Sequence, residues 1–205
     1  MNDATYLLKD EAIVKLKTLL GQDLRTYAEK YKVNIFKDGK LNKGWAGDTL
    51  ERFLGLAKNN NQAPNGRYFE LKQISLVKRK KGNIVPKETM QITMIDGNHL
   101  EPDFLKSHAY YKMKSIVICA ILYTSPGGPT VLERVDSFDL DGHETFDQVK
   151  ADYELISSTL NTQGFGALKS EMGVYIQPRT KGAGHGTISR AFYARTGFLK
   201  KVLDL

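Results

Sequence analysis

The chain of 205 residues is 41% hydrophobic and 26% charged, a globular composition that excludes a disordered protein and allows one sizeable core. Its formal net charge of +7 indicates an anionic partner, although a lysine-rich soluble protein without such a partner has a similar charge. The single Cys119 excludes an internal disulfide framework and suits a reducing compartment. Since no signal-peptide pattern or membrane-spanning apolar run is present, we expect a soluble, cytoplasmic protein with no membrane partner.

The first predicted elements are helical. Apolar residues recur at three- and four-residue steps over residues 8–32, which predicts one broken amphipathic helix or two successive ones. Gly21 marks the expected break, and Asp23 is placed to cap the helix that follows. Asp38 and Gly39 then indicate a turn before the next helix.

A further helix is predicted over about residues 46–58, because its apolar residues form one stripe. The stripe consists of Ala46, Leu50, Phe53, Leu54 and Ala57. Glu51 lies on an adjoining face between Gly47 and Gly55. Since glycine inside a helix costs about 1 kcal/mol relative to alanine, this arrangement suggests close approach of another backbone or of a ligand beside Glu51. Cap and loop glycines are the alternative.

Residues 68–76 are predicted to form a strand, entered through a polar loop over residues 58–66. Side chains at i and i+2 share one face of a strand, so Glu70 and Lys72 are expected to project together. A carboxylate beside an ammonium is a common pattern, and its default interpretation is a surface salt bridge.

Beyond this strand the sequence predicts a mixture of strands and helices. The basic tip at residues 78–81 is predicted to close a β-hairpin onto residues 89–95. Further strands are predicted over residues 115–124, 130–140 and 173–178, and helices over residues 103–114, 144–160 and 188–203. The first of these strands is apolar at nearly every position, so it is expected to be central and buried on both faces. Strands and helices mix without strict alternation, which favours an α/β (α+β) layer fold around a mixed sheet, as a single domain over residues 1–205.

The acids and the lysine of residues 42–75 suit phosphodiester hydrolysis. That reaction needs a metal that binds phosphate oxygen and acidifies a water, usually Mg²⁺, which takes oxygen ligands and few protein carboxylates. Glu70 and the carbonyl of Leu71 can bind such an ion, and Lys72 can orient the attacking hydroxide or offset charge on phosphorus. The spacing alone does not distinguish this site from a salt bridge.

Two segments resemble a known nuclease family. KGWAGDTLERFLG (residues 43–55) and ELKQI (residues 70–74) are similar to the KGW-x-G-x-x-L-E-x-x-L-G and E-L-K-x-I motifs of the MutH mismatch-repair nicking endonuclease. Residues 50–72 resemble still more closely the MvaI and BcnI restriction endonucleases, in which a helix glutamate, a P-D turn and Y-E-L-K recur at similar spacing. These are PD-(D/E)xK nucleases, whose fold is a mixed central sheet flanked by helices.

The resemblance implies catalytic roles and a Mg²⁺ cofactor. Glu51 matches the helix acid and Asn65 the metal-binding aspartate. Glu70 matches the second metal ligand and Lys72 the lysine. Asn65 departs from the pattern, and because a neutral amide binds Mg²⁺ less well than a carboxylate, we predict that this chain is strongly impaired or inactive. An engineered replacement is the preferred explanation, and a naturally silenced domain is the second.

A second group of candidate residues lies near the C-terminus. Residues 177–195 interleave basic side chains with glycines, which suits close approach to DNA bases. GAGHGTISR (residues 182–190) resembles the MvaI-type region whose His and Arg, five residues apart, contact the recognition sequence, and His185 and Arg190 keep that spacing. The remaining candidates for DNA contact are Arg179, Lys181, Arg195 and Lys169. An ordinary basic loop is the alternative for each of them.

The resemblance as a whole implies a prokaryotic type II restriction endonuclease of the MvaI/BcnI kind, which cuts double-stranded DNA as a monomer, at CCWGG by likeness to MvaI. Two alternatives stay open: a MutH-like nickase of hemimethylated sites, and a catalytically silent DNA-binding or effector domain. The sequence also leaves open whether a separate DNA-binding domain lies outside this chain.

Overall fold

A computed structural model describes residues 7–56, 66, 68–95, 97, 99–125, 128–181 and 189–205. The chain forms two compact units. The first unit contains the residues up to Lys87 together with Ser115–Phe138, and the second contains Glu88–Lys114 and Asp139–Leu205. The chain therefore enters each unit twice.

The helices and strands alternate irregularly along the chain, as predicted. The helices are α1 (Lys9–Lys17), α2 (Leu24–Lys30), α3 (Trp45–Leu54), α4 (His108–Met113), α5 (Phe146–Gln163) and α6 (Thr196–Leu203). The strands are β1 (Phe36–Lys37), β2 (Lys40–Leu41), β3 (Glu70–Lys78), β4 (Ile84–Pro86), β5 (Met90–Ile95), β6 (Ser115–Tyr123), β7 (Thr130–Asp139), β8 (Ile176–Thr180) and β9 (Arg190–Ala194). In the part of the chain that the structure describes, no helix is both long enough and apolar enough to cross a membrane.

The first predicted helical segment is divided into α1 and α2. Gly21 lies between them with a φ of 75°, and the Asp23 carboxylate caps α2 by accepting the backbone N–H of Arg25 at 3.1 Å. The same carboxylate accepts the N–H of Thr130 at 3.1 Å, so the cap also fixes α2 to the start of β7. The predicted break at Gly21 and cap at Asp23 are both confirmed.

Asp23 gives the first unit a defined sensitivity to acid. Burial raises its pKa, but the Arg25 side chain and the N–H groups of Arg25 and Thr130 outweigh burial, so the pKa lies below its usual value. A lowered pKa means that the charged form stabilises the fold above about pH 4, and that this stabilisation is lost as the pH falls through the folded-state pKa. We expect Asp23→Asn to lower the free energy of unfolding by about 1 kcal/mol at neutral pH.

Urea denaturation of both proteins between neutral and acid pH measures this effect. The difference between Asp23→Asn and the parent chain should shrink as the pH falls. An exposed control, Glu29→Gln, should leave the free energy of unfolding nearly unchanged throughout. A pH-independent difference for Asp23→Asn would contradict the assigned role of the charge.

The sheet of the first unit has the strand order β4-β3-β6-β7. β3 runs antiparallel to β4 and parallel to β6, where Glu70 pairs with Ile116 and Lys72 with Ile118. Residues 116–121 of β6 are all buried, as the unbroken apolar run predicted. A mixed central sheet with helices packed on it is the predicted α+β architecture, that of the PD-(D/E)xK nuclease fold.

One face of this sheet packs on helices α1 to α3. Phe69 and Leu71 share a core cluster with Val117 and Cys119 of β6 and with the apolar side chains of those helices. Because side chains alternate along a strand, Glu70 and its i+2 neighbour lie on the opposite face. Cys119 is a buried, free cysteine, and burial raises the pKa of its thiol to about 12, which disfavours the reactive thiolate.

The second unit contains the antiparallel sheet β5-β9-β8. Aromatic rings fill its interior: Tyr153 of α5 lies 5.4 Å from the Phe192 ring of β9 and 5.3 Å from the Phe104 ring. The Tyr153 hydroxyl donates to the carbonyl of Glu101 at 2.7 Å, which satisfies its polar group. These contacts join α5 to the sheet.

The predicted pairing of the basic tip at residues 78–81 is wrong. The tip returns into β4, with Lys78 opposite Ile84 and Leu76 opposite Pro86, whereas β5 pairs with β9 in the other sheet. Pro86 has no N–H, so it cannot extend the ladder and separates β4 from β5.

The predicted start of the C-terminal helix is also wrong. The helix begins at Thr196, and Arg190–Ala194 form β9. β9 is the central strand of its sheet, and Ala191, Phe192 and Ala194 are buried in it. Pairing with β5 on one edge and β8 on the other satisfies the backbone N–H and C=O groups of residues 190–194. This stabilisation of the strand depends on partners that local sequence patterns do not reveal.

Candidate active site and nucleic-acid interface

Glu70 and Lys72 form a largely buried ion pair on β3. The Lys72 Nζ lies 2.9 Å from Glu70 Oε1, and the two side chains are 17% and 5% exposed. Their shared face agrees with the strand alternation, but their burial does not agree with an exposed surface salt bridge, since both charges have left most of their water. Electrostatic interactions are stronger in such surroundings than in solvent, which suits a catalytic pair.

The neighbouring backbone holds this pair in place. Phe69 is fully buried, and its carbonyl accepts the N–H of Gly66 at 2.9 Å, which fixes the chain as it enters β3. From Glu70 to Leu76 the strand is in unbroken parallel register with β6. The positions of Glu70 and Lys72 therefore follow from the core and not from their own interaction.

The carbonyl of Leu71 is also placed by this register. The Ser75 carbonyl accepts the N–H of Lys87, which follows β4, at 2.8 Å. The Ser75 carbonyl therefore points towards β4 and away from β6. Carbonyl groups four residues apart in a regular strand point to the same side, so the Leu71 carbonyl is also directed away from β6. The Glu70 carboxylate and the Leu71 carbonyl thus supply two oxygen donors at neighbouring positions.

The Glu70 carboxylate and the Leu71 carbonyl have the oxygen chemistry that the predicted Mg²⁺ requires. Mg²⁺ prefers oxygen ligands and retains several waters, so two protein oxygens with water and substrate phosphate are compatible with it. Asn65, the third predicted ligand, lies outside the described residues. Within the ranges that the structure describes, no group of three or more His, Cys, Asp or Glu side chains is placed to hold a metal ion. The two described oxygens are therefore compatible with a divalent ion whose other ligands are water, substrate phosphate or residues outside the described ranges.

Glu51 lies in the last turn of α3 and is half-buried. The helix ends at Leu54, four residues before the predicted end, because Gly55 adopts a left-handed conformation with a φ of 75°. The N–H of Leu56 donates to the Glu51 carbonyl at 2.9 Å, and the N–H of Gly55 donates to the Arg52 carbonyl at 3.0 Å, which is the Schellman pattern of a helix end. α3 packs against β3, so Glu51 is carried by a helix adjoining the strand of Glu70.

The two glycines around Glu51 have different roles. Gly55 is a C-terminal cap, which confirms the alternative interpretation for this residue. Gly47 lies inside α3, and a Cβ atom built there meets no heavy atom within 4 Å. No described residue outside the helix therefore approaches Gly47, and nothing in the described structure explains this glycine.

Substituting the two glycines should have opposite effects. We expect Gly47→Ala to stabilise the protein by about 1 kcal/mol, because alanine is the better helix former and nothing obstructs its methyl group. Gly55→Ala should destabilise it by about 1 kcal/mol, because alanine is strained at a positive φ. Denaturant unfolding of both variants measures the two free energies. Destabilisation by Gly47→Ala would reveal a close contact at that position.

The β8–β9 hairpin gathers three of the predicted DNA-contacting residues. Arg190 begins β9 opposite Thr180 and donates to its hydroxyl, and the N–H of Lys181 donates to the Ser189 carbonyl at 3.0 Å. Arg179 is exposed, with its guanidinium 5.5 Å from the Tyr193 ring. These three cations flank residues 182–188, which include His185 and lie outside the described part of the chain.

Arg195 and Lys169 lie elsewhere in the second unit. Arg195 precedes α6, and its guanidinium donates to the carbonyls of Ser170 and Met172 at 2.7 and 3.1 Å. Lys169 is exposed on the same loop, next to Ser170. The Arg195 contacts hold this loop against the start of α6, so this arginine has a structural role besides any contact with DNA.

Asp152 is an important residue that the sequence reasoning missed. It is 2% exposed, and its carboxylate accepts the backbone N–H groups of Val174, Tyr175 and Ile176 at 2.9, 2.6 and 2.9 Å. The Gln148 side chain donates to it as well, at 2.8 Å. Asp152 thus fixes the start of β8 to α5. Its signal in the sequence is an acid on the buried stripe of a helix, between Val149 and Ile156.

Two comparisons with known proteins bear on this site. Residues 55–140, about two fifths of the chain, match the family described as DNA mismatch repair enzyme MutH, and this match includes Glu70 and Lys72. The chain is also similar to the type II restriction enzyme Sau3AI of Staphylococcus aureus, with 20% identity over an alignment 216 residues long. That alignment covers 97% of this chain and 43% of the enzyme, so the chain spans less than half the length of this curated relative. Together the similarities support a MutH-like endonuclease.

Proposed function

We propose that residues 1–205 form one Mg²⁺-dependent endonuclease domain that hydrolyses double-stranded DNA at a short specific site, as a type II restriction endonuclease. The observation that carries the proposal is the buried Glu70–Lys72 pair, in which Lys72 Nζ lies 2.9 Å from Glu70 Oε1. The alternate residues of the same strand, Phe69 and Leu71, are packed in the core. The match to the MutH family spans this strand, and the relative that aligns with nearly the whole chain is a restriction enzyme.

In this mechanism β3 supplies the fixed part of the site. Glu70 and the Leu71 carbonyl would hold Mg²⁺, which when bound polarises the scissile phosphate and acidifies a water. The Lys72 ammonium offsets the negative charge that develops on the phosphate oxygens, and its contact with Glu70 keeps it oriented before substrate binds. Because both side chains are already largely desolvated, little reorganisation is needed during the reaction.

Glu51 and Asn65 complete the proposed site. In the proposed mechanism Glu51, on α3, accepts a proton from the attacking water or orients it, directly or through a second water. Asn65 stands where the family has its metal-binding aspartate, and Glu70 is the second metal ligand. We propose that the neutral Asn65 amide weakens metal binding, so that the chain as written is strongly impaired as a nuclease.

Sequence specificity is assigned to the second unit. Arginine can donate two hydrogen bonds to guanine, which suits Arg190 with Arg179 and Lys181 near it in the β8–β9 hairpin. Histidine can donate to the same edge, which suits His185, between Lys181 and Arg190 in the sequence. By their resemblance to MvaI-type enzymes we propose CCWGG as the recognition sequence and a monomer as the active form. The curated relative is more than twice as long as this chain, so a further DNA-binding segment outside residues 1–205 is compatible with the proposal.

One digest tests the proposal. A sequenced plasmid is incubated with the Asn65→Asp variant and Mg²⁺, and the fragment ends are read. Double-strand cuts at one short sequence are expected. The match to the MutH family makes a strand-nicking enzyme the second candidate, and nicks that depend on hemimethylation would favour it. Site-specific, salt-sensitive binding without cleavage would instead favour a silent DNA-binding domain.

A further inference from the structure

The short hairpin between α2 and α3 presents an unusual surface. β1 and β2 are antiparallel, with Phe36 opposite Leu41 and Lys37 opposite Lys40. Asp38 and Gly39 join them with positive φ values of 50° and 71°, the type I′ turn that matches the twist of a two-residue hairpin. The strands pair with each other and with no other strand in the part of the chain that the structure describes.

The apolar face of this hairpin is turned away from the core. Ile35, one residue before β1, packs against the core cluster of the first unit. Since side chains alternate along a strand, Phe36 and its partner Leu41 lie on the face opposite Ile35. Their exposed fractions are 60% and 54%. Two large apolar side chains paired across a hairpin in this way form an apolar surface patch that remains exposed to solvent after folding.

The surroundings of the patch are cationic. Five lysines and one aspartate fall within residues 30–43. Lys37 and Lys40, at the tip, are exposed and have no carboxylate partner among the described residues. A hairpin with an apolar pair on one face and two unpaired lysines at the next ladder position, towards the tip, suits a partner with both hydrophobic surface and negative charge. Duplex DNA has both, since its grooves expose sugars and base edges between two phosphate strands.

The hairpin is fixed to the helix that carries Glu51. Asn42 donates its backbone N–H to the Ile35 carbonyl at 2.8 Å and its side-chain amide to the Asn34 carbonyl at 3.0 Å. The Asn42 side-chain oxygen accepts the N–H of Gly44, and the Asn42 backbone carbonyl accepts the N–H of Trp45, at the start of α3. From Gly44 to Glu51 the helix rises about 10 Å, close to the rise of three base pairs.

We propose that the β1–β2 hairpin is a DNA-contacting element of the enzyme. Phe36 and Leu41 pack against the sugar and base edges of a groove a few base pairs from the scissile phosphate, and Lys37 and Lys40 bind the flanking phosphates. This proposal rests on the proposed function, since it takes the DNA substrate from it.

Binding of the unaltered chain to a fluorescently labelled DNA duplex, measured over a series of salt concentrations, tests the proposal without requiring cleavage. The doubly substituted F36A/L41A chain should bind about tenfold more weakly with an unchanged salt dependence. The K37Q/K40Q chain should lower the slope of log affinity against log salt by about 1.8, as expected for two lost phosphate contacts. All four side chains are exposed, so the thermal unfolding midpoint should stay unchanged.

Matched controls come from α1. Val14 is 67% exposed, and Lys15 and Lys17 are exposed beside it. The V14A and K15Q/K17Q chains should bind DNA as the parent does. Equal binding by hairpin and control variants would overturn the proposal, even where the plasmid digest establishes the nuclease. A dimer in sedimentation experiments without DNA that F36A/L41A converts to a monomer would also overturn it, because a second copy would then cover the patch.

Discussion

Replacing Asn65 by aspartate is expected to raise the rate of Mg²⁺-dependent DNA cleavage by about a thousandfold or more, equivalent to about 4 kcal/mol of transition-state stabilisation. The aspartate would add a charged oxygen donor to the two that β3 provides through Glu70 and Leu71. Because Mg²⁺ binds carboxylates more tightly than amides, the variant should also need less Mg²⁺ for half-maximal activity. Single-turnover cleavage of a plasmid over a range of Mg²⁺ concentrations measures both quantities.

Two further substitutions on the Asn65→Asp background identify the site. Lys72→Ala and Glu70→Gln should each return the rate to the level of the unaltered chain, since each removes one member of the pair at 2.9 Å. Lys78→Ala is the matched control, because this exposed lysine lies on the same strand outside the pair. Full activity without Lys72, or no gain from Asn65→Asp, would show that the active site lies elsewhere.

Replacing Asp152 by alanine should destabilise the protein by about 4 kcal/mol. Three backbone N–H groups would lose their acceptor, and each unsatisfied buried donor costs about 1–3 kcal/mol. Asp152→Asn should cost about 2 kcal/mol, because its amide retains one acceptor oxygen but turns a donor towards the remaining N–H groups. Urea denaturation of the two variants and the parent chain measures these differences.

The control for these measurements is Glu154→Ala, which removes a surface acid from the same helix, α5. Glu154 pairs with Lys150 at the surface, at 2.9 Å, and an exposed helix pair of this kind contributes little to stability. Since Asp152 fixes the start of β8, Asp152→Asn should also weaken site-specific DNA binding through the displaced Arg179. A free energy of unfolding equal to that of Glu154→Ala would contradict the assigned role of Asp152.

Local sequence signals predicted the elements that depend on local physics. Gly21 and Asp23 separated α1 from α2 because a left-handed glycine and a side-chain cap act within a few residues. The run around Cys119 predicted a buried strand because every side chain in it is apolar. The shared face of Glu70 and Lys72 followed from the alternation of β3, which is a property of any strand.

Features that depend on distant partners were predicted less well. The helix predicted over residues 188–203 includes the residues of β9, because the two strands that pair with β9 lie far away in the sequence. The role of Asp152 depends on N–H groups 22 to 24 residues away. The sequence shows an acid on the buried stripe of a helix, but it does not show which backbone groups that acid binds. The depth at which Glu70 is buried depends in the same way on β6. Gly55 is different, since its role as a cap was available from local rules.

The parallel pairing of β3 with β6 has a consequence for how the protein folds. Residues 79–114, which separate these strands, include Glu88–Lys114 of the second unit. The first unit therefore cannot complete its sheet on the ribosome until part of the second has been synthesised. Pairing across such a separation is slow, because the entropy of closing the loop is lost before the contacts form. Neither unit can therefore be produced by truncation at a single point.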